Sequence, residues 1–242
     1  MLQAFYSAAV GAQQQMDRMD VHGNNIANVN TYGYKAEKPA FGVLMNTMVN
    51  GVDGAQLPKG SGGAMVSTAT DFRQSDLEET GRDQDYAIIG DGFFALYDPS
   101  TQEISYTRDG SFTISSFQET NDDGAPETVW YLSDGEGRQV LDTSGYPIVV
   151  TDPTAEQPVG AFLIQYEDGL QHAGSQRFLT GDKNGAVWIS TAEVRRGVLE
   201  SSNTDLATEL GKVIETQRAY SYALRMVTTA DEVETTINNL TN

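Results

Sequence analysis

Residues 206–227 read LATELGKVIETQRAYSYALRMV. In them Leu206, Leu210, Val213, Gln217, Tyr220, Leu224 and Val227 recur at alternating steps of four and three, an a/d seam along one helix face. After one skipped residue, Ala230, Val233, Ile237 and Leu240 carry the seam on, a phase shift of the stammer kind. Asn203, Thr204 and Asp205 stand just before it, where a side-chain oxygen can accept from the free N–H groups of a first turn. The spacing therefore predicts a long helix. A helix with so narrow an apolar seam is marginal alone in water and needs a partner.

The first thirty residues repeat the signal. Leu2, Phe5, Ala9, Ala12, Met16, Met19, Gly23 and Ile26 alternate steps of three and four. Ala9, Ala12 and Gly23 are small enough to let a partner helix approach closely. Carried to Val29, this helix is roughly 40 Å long at ~1.5 Å per residue. Two seamed ends around a non-helical middle predict a chain that leaves and returns to one place.

The middle reads as β-structure. Short β-prone runs span 93–97, 104–107, 111–114, 129–132, 148–150, 161–166 and 186–189. Asp109-Gly110, Asp134-Gly135 and Asn184-Gly185 punctuate them with tight-turn chemistry. Close spacing favours antiparallel pairing, as in a sandwich or small barrel. Between Gly42 and Asp76 lie Gly51, Gly54, Gly60, Gly62 and Gly63, the composition of an extended connector. The expected fold is α+β: long terminal helices pair as a coiled coil, with a mainly antiparallel β-domain between them. The expected partition is 1–35 with 200–242 as the helical domain, 36–80 as connector and 81–199 as the β-rich domain.

Charge narrows the partners. Net charge is −19, and residues 71–185 hold 22 acidic against 6 basic side chains. Such a segment repels phosphate backbones, so nucleic acid is excluded as a partner. With no cysteine, there is neither disulfide nor thiolate metal site. No run approaches the ~18–20 apolar residues of a membrane span. The first twenty residues lack a basic n-region and an uninterrupted apolar stretch, so they do not read as a cleavable signal peptide. That pattern alone reads as cytoplasmic, unless a dedicated apparatus exports the chain without a cleaved signal.

Chemistry is hard to place on this sequence. The only histidines, His22 and His172, have no supporting neighbours along the chain for a triad or a metal site. Asp83 with Asp85, or Asn121 with Asp122 and Asp123, offer oxygen ligands suited to Ca²⁺. Gly181 to Gly185 resembles half a calcium loop, but the closing bidentate Glu is missing and a hairpin turn explains it better. Nothing selects one carboxylate pair for glycosidase work. Neither a Walker loop nor a GxGxxG loop is present. No catalytic residue, cofactor, metal or small-molecule substrate is expected.

Five blocks, in order along the chain, carry a resemblance. Asn24-Asn25-Ile26-Ala27-Asn28-Val29-Asn30-Thr31-Tyr32-Gly33-Tyr34-Lys35 is similar to the N-terminal signature of flagellar rod and hook proteins. Leu77 to Phe94, with Gly81, Asp85, Gly90 and Gly92, resembles their central block; Ser75-Asp76 stands where a glycine is usual. Tyr106 to Phe112 resembles a strand–turn–strand of the same family. Gly197, Leu199, Glu200, Ser202, Asn203 and Asp205 match its lead-in to the last helix, with Thr204 replacing valine. Gln217-Arg218-Ala219-Tyr220 matches that helix's QRAY.

The resemblance implies a structural subunit of the bacterial flagellar basal-body rod, without catalysis. Its terminal helices are expected to form an inner coiled-coil layer, with the β-domain outside. It is expected to assemble with copies of itself and with other rod and hook axial proteins. Export through the flagellar type III apparatus is expected, which accounts for the missing signal peptide. At 242 residues the chain lacks room for the extra outer domains of hook proteins, and residues 56–81 lean toward the distal-rod branch. Expected assembly and turn residues are Asn25, Asn28, Gly33, Leu206, Leu210, Val213, Gln217, Arg218, Tyr220 and Leu224. A second reading is a secreted, filament-associated adhesin whose acidic β-domain binds a ligand.

Overall fold

A computed structural model gives the fold of residues 2–43, 47–50, 56–59, 63–120 and 126–240. Four connector glycines (Gly51, Gly54, Gly60, Gly62) and the Asn121-Asp122-Asp123 cluster lie outside the described residues. The chain forms two compact units. The first comprises 1–27, 36–71 and 204–242, and the second 28–35 and 72–203.

The first unit contains α1 (Leu2–Ala27), β1 (Glu37–Val43), β2 (Thr47–Asn50), β3 (Gln56–Lys59), β4 (Gly63–Thr70) and α2 (Leu206–Leu240). Asp205 caps α2: its Oδ1 accepts from the Ala207 N–H at 3.1 Å, and its Oδ2 from the Thr208 hydroxyl. The two helices pack together antiparallel, since His22 meets Glu209 while the earlier Arg18 reaches the later Glu215. α1 ends two residues before Val29, where Asn28 to Asn30 form a turn.

The packed faces are not the apolar seams. On α2 the covered stripe is Glu209, Val213, Thr216, Tyr220, Ala223, Val227 and Ala230, itself stepping four and three. It shares Val213, Tyr220, Val227 and Ala230 with the seam but turns the rest outward: Leu206, Leu210 and Leu224 stay 43%, 47% and 41% exposed. On α1, Ala12, Val21, His22 and Asn25 are buried, while Phe5, Met16 and Gly23 face solvent. Small residues at Ala12 and Ala223 permit close approach, and the buried Thr216 hydroxyl donates to its own helix at Lys212 O, 2.7 Å away. His22 with Glu209 supplies the polar match described below.

The stretch expected to be connector is paired strand in the described residues. β1 runs against β4 from Glu37↔Thr70 to Val43↔Gly63, with a bulge between Ala40 and Phe41. β2 pairs with β3 from Thr47↔Lys59 to Asn50↔Gln56. Glycine lowers local strand propensity, but pairing with a distant strand and packing on a helix override it.

The second unit contains β5 (Leu77–Glu79), β6 (Tyr86–Ile89), β7 (Phe93–Tyr97), β8 (Ile104–Thr107), β9 (Thr113–Thr120) and β10 (Pro126–Ser133). It continues with β11 (Gln139–Val140), β12 (Ala161–Ile164), β13 (Gln171–His172), β14 (Arg177–Leu179), β15 (Val187–Ile189), β16 (Glu193–Arg196) and β17 (Val198–Glu200). All pairings are antiparallel. The main sheet runs β13-β14-β8-β7-β11-β10-β9, with β12 also on β7 and β15 on β12. Two small ladders, β16–β6 and β17–β5, complete the unit.

Strand β7 reads FFALY because both its faces are covered. Phe94 and Leu96 enter one core with Tyr86, Ile88, Phe112, Leu132 and Val140. Phe93 and Ala95 enter another with Tyr106, Leu141, Ile164 and Phe178. The run 148–150 forms no regular strand: it makes an isolated bridge, Tyr131↔Val149, while Ile148 and Val150 are buried in the first of these cores. Gly181 to Gly185 is a turn, held by Asn184 N–H to Gly181 O at 3.0 Å, but β14 and β15 on either side do not pair with each other. The expected hairpin there is thus a plain reversal between strands of different partners.

Candidate functional site

The chain passes between the two units four times, after Ala27, Lys35, Asp71 and Asn203. Each unit gathers its own ends of these passages around one buried carboxylate.

In the first unit this is Glu209, in the opening turn of α2. Its Oε2 lies 2.6 Å from His22 Nδ1 on α1, and its Oε1 accepts from Lys212 Nζ at 2.7 Å. A carboxylate only accepts, so His22 Nδ1 carries a hydrogen and donates. Asn25 Nδ2 reaches the same carboxylate at 3.4 Å. The Asn25 amide also pairs with the backbone of Glu37: Nδ2 donates to Glu37 O at 2.8 Å, and Glu37 N–H donates to Oδ1 at 2.9 Å. That amide thus docks the start of β1 as a neighbouring strand does. Asp71 N–H donates to Ala36 O, so the end of β4 joins the same set. Burial pushes the Glu209 carboxyl up, but hydrogen bonds from Lys212, His22 and Asn25 outweigh it and hold it below the ordinary range.

In the second unit the carboxylate is Glu200, at the end of β17 and 1% exposed. Lys35 Nζ donates to its Oε1 at 2.6 Å and to Arg73 O at 2.9 Å. Arg108 Nη1 approaches Oε2 at 3.3 Å, and Ser75 N–H donates to Oε1 at 2.8 Å. Gly33 N–H donates to the Glu200 backbone carbonyl at 2.8 Å. Ser75 Oγ donates to Ser202 O, and Asn203 Nδ2 to Arg73 O. Arg108 is further fixed by Nη2 to Gly90 O at 2.8 Å and by its guanidinium over the Phe93 ring.

Gly33 sits where no other residue fits. Its φ is +67°, and a Cβ there would lie 2.3 Å from Asp109 N and 2.5 Å from Arg108 C. The turn after α1 is thereby pressed against the Arg108-Asp109 backbone. Asn28 closes that turn, its Oδ1 accepting from the Thr31 hydroxyl at 3.3 Å.

The expected site residues fall into two groups. Asn25, Asn28 and Gly33 lie at the clusters just described. Leu206, Leu210 and Leu224 form an exposed apolar stripe on α2, Val213 and Tyr220 are half-buried beside it, and Gln217 and Arg218 are exposed. Arg218 lines a shallow groove with Gly211, Ile214, Glu215, Ala219 and Tyr222. The sequence reading missed Glu209 and Glu200 as centres. It also left His22 without a neighbour, whereas Glu209, 187 positions away, is its partner. The one available signal was that Lys35, Arg108 and Glu200 are charges inside otherwise apolar or turn-forming blocks.

Asp85 is used internally as well, accepting from the Thr80 hydroxyl at 2.6 Å, and Asp83 pairs with Arg196. Among the described residues no group of three or more His, Cys, Asp or Glu is placed to hold a metal ion, and no helix is long and apolar enough to cross a membrane. The buried polar groups of each unit bond chiefly to one another, and α2 carries an outward apolar stripe.

Comparison with known proteins gives the family. Residues 5–35 match the family described as flagella basal body rod protein. Residues 87–125 match the flagellar hook protein FlgE/F/G D1 domain, and 195–240 match the flagellar basal body rod FlgEFG protein C-terminal family. The chain is 30% identical to the flagellar basal-body rod protein FlgG of Buchnera aphidicola subsp. Baizongia pistaciae, covering 96% of this chain and 97% of that one. It is 27% identical to FlgG of Bacillus subtilis, over 99% of each. To the flagellar basal-body rod protein FlgF of Caulobacter vibrioides it is 31% identical, over 93% of each. The chain belongs to the flagellar basal-body rod protein family. It is a structural subunit of the bacterial flagellar basal body and not an enzyme. The adhesin reading finds no support in these relatives.

Proposed function

We propose that this subunit polymerises, with copies of itself and with other rod and hook axial proteins, through the apolar stripes of its two terminal helices. The observation that carries the reading is the rotation between two faces of α2. One face is spent on α1, while Leu206, Leu210 and Leu224 on the flank stay exposed beside Ile214. Four large aliphatic side chains exposed on one flank of a helix mark an association surface. On this reading the stripes of neighbouring subunits complete a coiled-coil layer. The contact joins unlike patches through a rotation that does not close, so a hollow shaft grows.

On this reading α1 and α2 supply the assembling surface, and the charge of the acidic 81–199 segment resists non-specific association. Export through the flagellar type III apparatus fits a chain that needs its helices unpaired with neighbours until assembly. The relatives' names, rod proteins over almost their whole length, support the same picture.

Leu210→Asp and Leu224→Asp test it. Both side chains are half-exposed, so the isolated subunit tolerates the charge, whereas an assembled seam has to bury it unpaired. Both variants are expected to keep the wild-type fold by circular dichroism and to fail to form rods by electron microscopy. Normal rods from either variant overturn the proposal.

A further inference from the structure

We infer that the C-terminal end of α2 docks on the middle of α2 in a second copy of this chain, an acidic, apolar tail seated on a groove edged by two arginines. The inference rests on the proposed assembly through the terminal helices and names one contact within it. Three observations carry it. First, α2 outruns its partner helix. His22 meets Glu209 and Arg18 reaches Glu215, so the start of α1 at Leu2 falls near Ala230 of α2. Ala230 also ends the covered stripe, and every described side chain beyond it on α2 is exposed. Residues 231–240 are thus a tail of roughly 15 Å at ~1.5 Å per residue. Second, this tail is built as an interface and holds no cation. Val233, Ile237 and Leu240 step four and three and are 41%, 42% and 81% exposed. Glu232 and Glu234, the neighbours of Val233, flank that stripe on either side, and Asp231 stands one turn before Glu234. No basic residue occurs from Met226 to Asn242, so a partner for the tail has to bring the cations.

Third, the same helix carries such cations in its middle. Arg218 and Arg225 are exposed, seven residues apart on one flank. The carboxylates nearest them are engaged elsewhere or out of reach. Glu215 reaches Arg18 of α1, and Asp17 of α1 accepts from Gln13. Alongside, residues 2–16 of α1 hold no charged side chain. Glu232 lies two turns beyond Arg225, about 10 Å along the axis. Arg225 instead lies over its own Tyr222 ring, 6.0 Å from the centroid. The shallow groove beside Arg218 offers Ile214 and Tyr222, 52% and 64% exposed, over the small Gly211 and Ala219. One unbroken helix therefore holds both halves of a complementary contact that it cannot make with itself. A second copy supplies the missing half, and the contact joins unlike patches, so each subunit keeps a free half for the next.

Charge exchange tests this on full-length subunits. Arg218→Glu with Arg225→Glu makes the middle acidic, and Glu232→Lys with Glu234→Lys makes the tail basic. All four side chains are exposed, so each variant is expected to keep the wild-type circular dichroism. Either pair alone is expected to raise the concentration at which rods pellet, checked by electron microscopy, on the order of tenfold or more. Both pairs in one chain restore opposite charges and are expected to recover most of that loss. A second measurement uses the absence of cysteine from the chain. Ala219→Cys in the groove and Thr236→Cys on the tail, mixed as two otherwise wild-type subunits under mild oxidation, are expected to form a disulfide between the two variants.

A combined variant that assembles no better than its parents overturns the inference, and so do wild-type thresholds in both single-pair variants. If a charge variant does not fold, the cysteine pair still decides: no cross-link between the two variants, or linkage only within each, overturns it. The outcome is separable from that of the apolar stripe. Rods lost in Leu210→Asp but indifferent to either charge pair sink this contact alone. Rods intact in Leu210→Asp, with loss and rescue by the charge pairs, sink the stripe and support this contact.

Discussion

Replacing Gly33 with alanine isolates the tightest backbone approach at the Glu200 cluster. The new methyl has two costs. At φ +67° an L-residue loses about 1–2 kcal/mol to its own backbone. The Cβ also lands 2.3–2.6 Å from three backbone atoms of Arg108 and Asp109, so the turn has to back away, which costs about 1–3 kcal/mol as overpacking. Together these come to about 2–5 kcal/mol, or a Tm lower by roughly 5–15 °C for a unit of this size. Gly81→Ala is the matched control. It has φ +69° and nothing within 4 Å of the built Cβ, so only the first cost applies. Thermal and urea unfolding followed by tryptophan fluorescence reports on the correct unit, since both tryptophans, Trp130 and Trp188, belong to it. The expected result is a larger loss for Gly33→Ala than for Gly81→Ala, by about 1–3 kcal/mol. Equal losses refute the argument, because they leave the contact with Arg108 and Asp109 without energetic weight.

Two predictions concern the first unit. Asn25→Leu strips two hydrogen bonds from the Glu37 backbone and leaves its N–H and C=O part-buried, a cost of about 2–4 kcal/mol. Faster amide exchange at Glu37, with β10 unchanged, is the expected readout, and unchanged exchange refutes it. For pH, the Glu209 carboxyl sits below its ordinary 4.5 in the folded state, so the unfolded chain binds the proton more readily. Its contribution is therefore complete above pH 4.5 and drains away as pH falls toward the folded value. Helix melting by far-UV circular dichroism is expected to weaken with acid in that window. Glu209→Gln is expected to lose stability at neutral pH and to flatten the slope, and an unaltered slope contradicts the assignment.

Much of this organisation was legible from local pattern. Helical period and the Asp205 cap placed α2 to within a residue, because a cap and a repeat are both short-range facts. β7 and β8 appeared with the bounds expected of them, since bulky β-prone residues bounded by turn residues need no distant information. β1 to β4 did not, because glycine-rich strands are specified by their partners across the ladder rather than by their own residues.

The terminal helices themselves show where sequence stops and tertiary structure begins. Sequence alone determined that each end is a long helix with an apolar seam, and that five blocks run in the order of a flagellar axial protein. It could not choose between two overlapping stripes on α2, both stepping four and three and sharing Val213, Tyr220, Val227 and Ala230. Folding chose the stripe carrying Glu209 and Thr216, because Glu209 meets His22 and Asn25 only when α1 lies alongside. Likewise, Lys35, Arg108 and Glu200 are three isolated charges until the passages converge. Burial then forces them to satisfy one another, and no periodicity in the chain encodes that meeting.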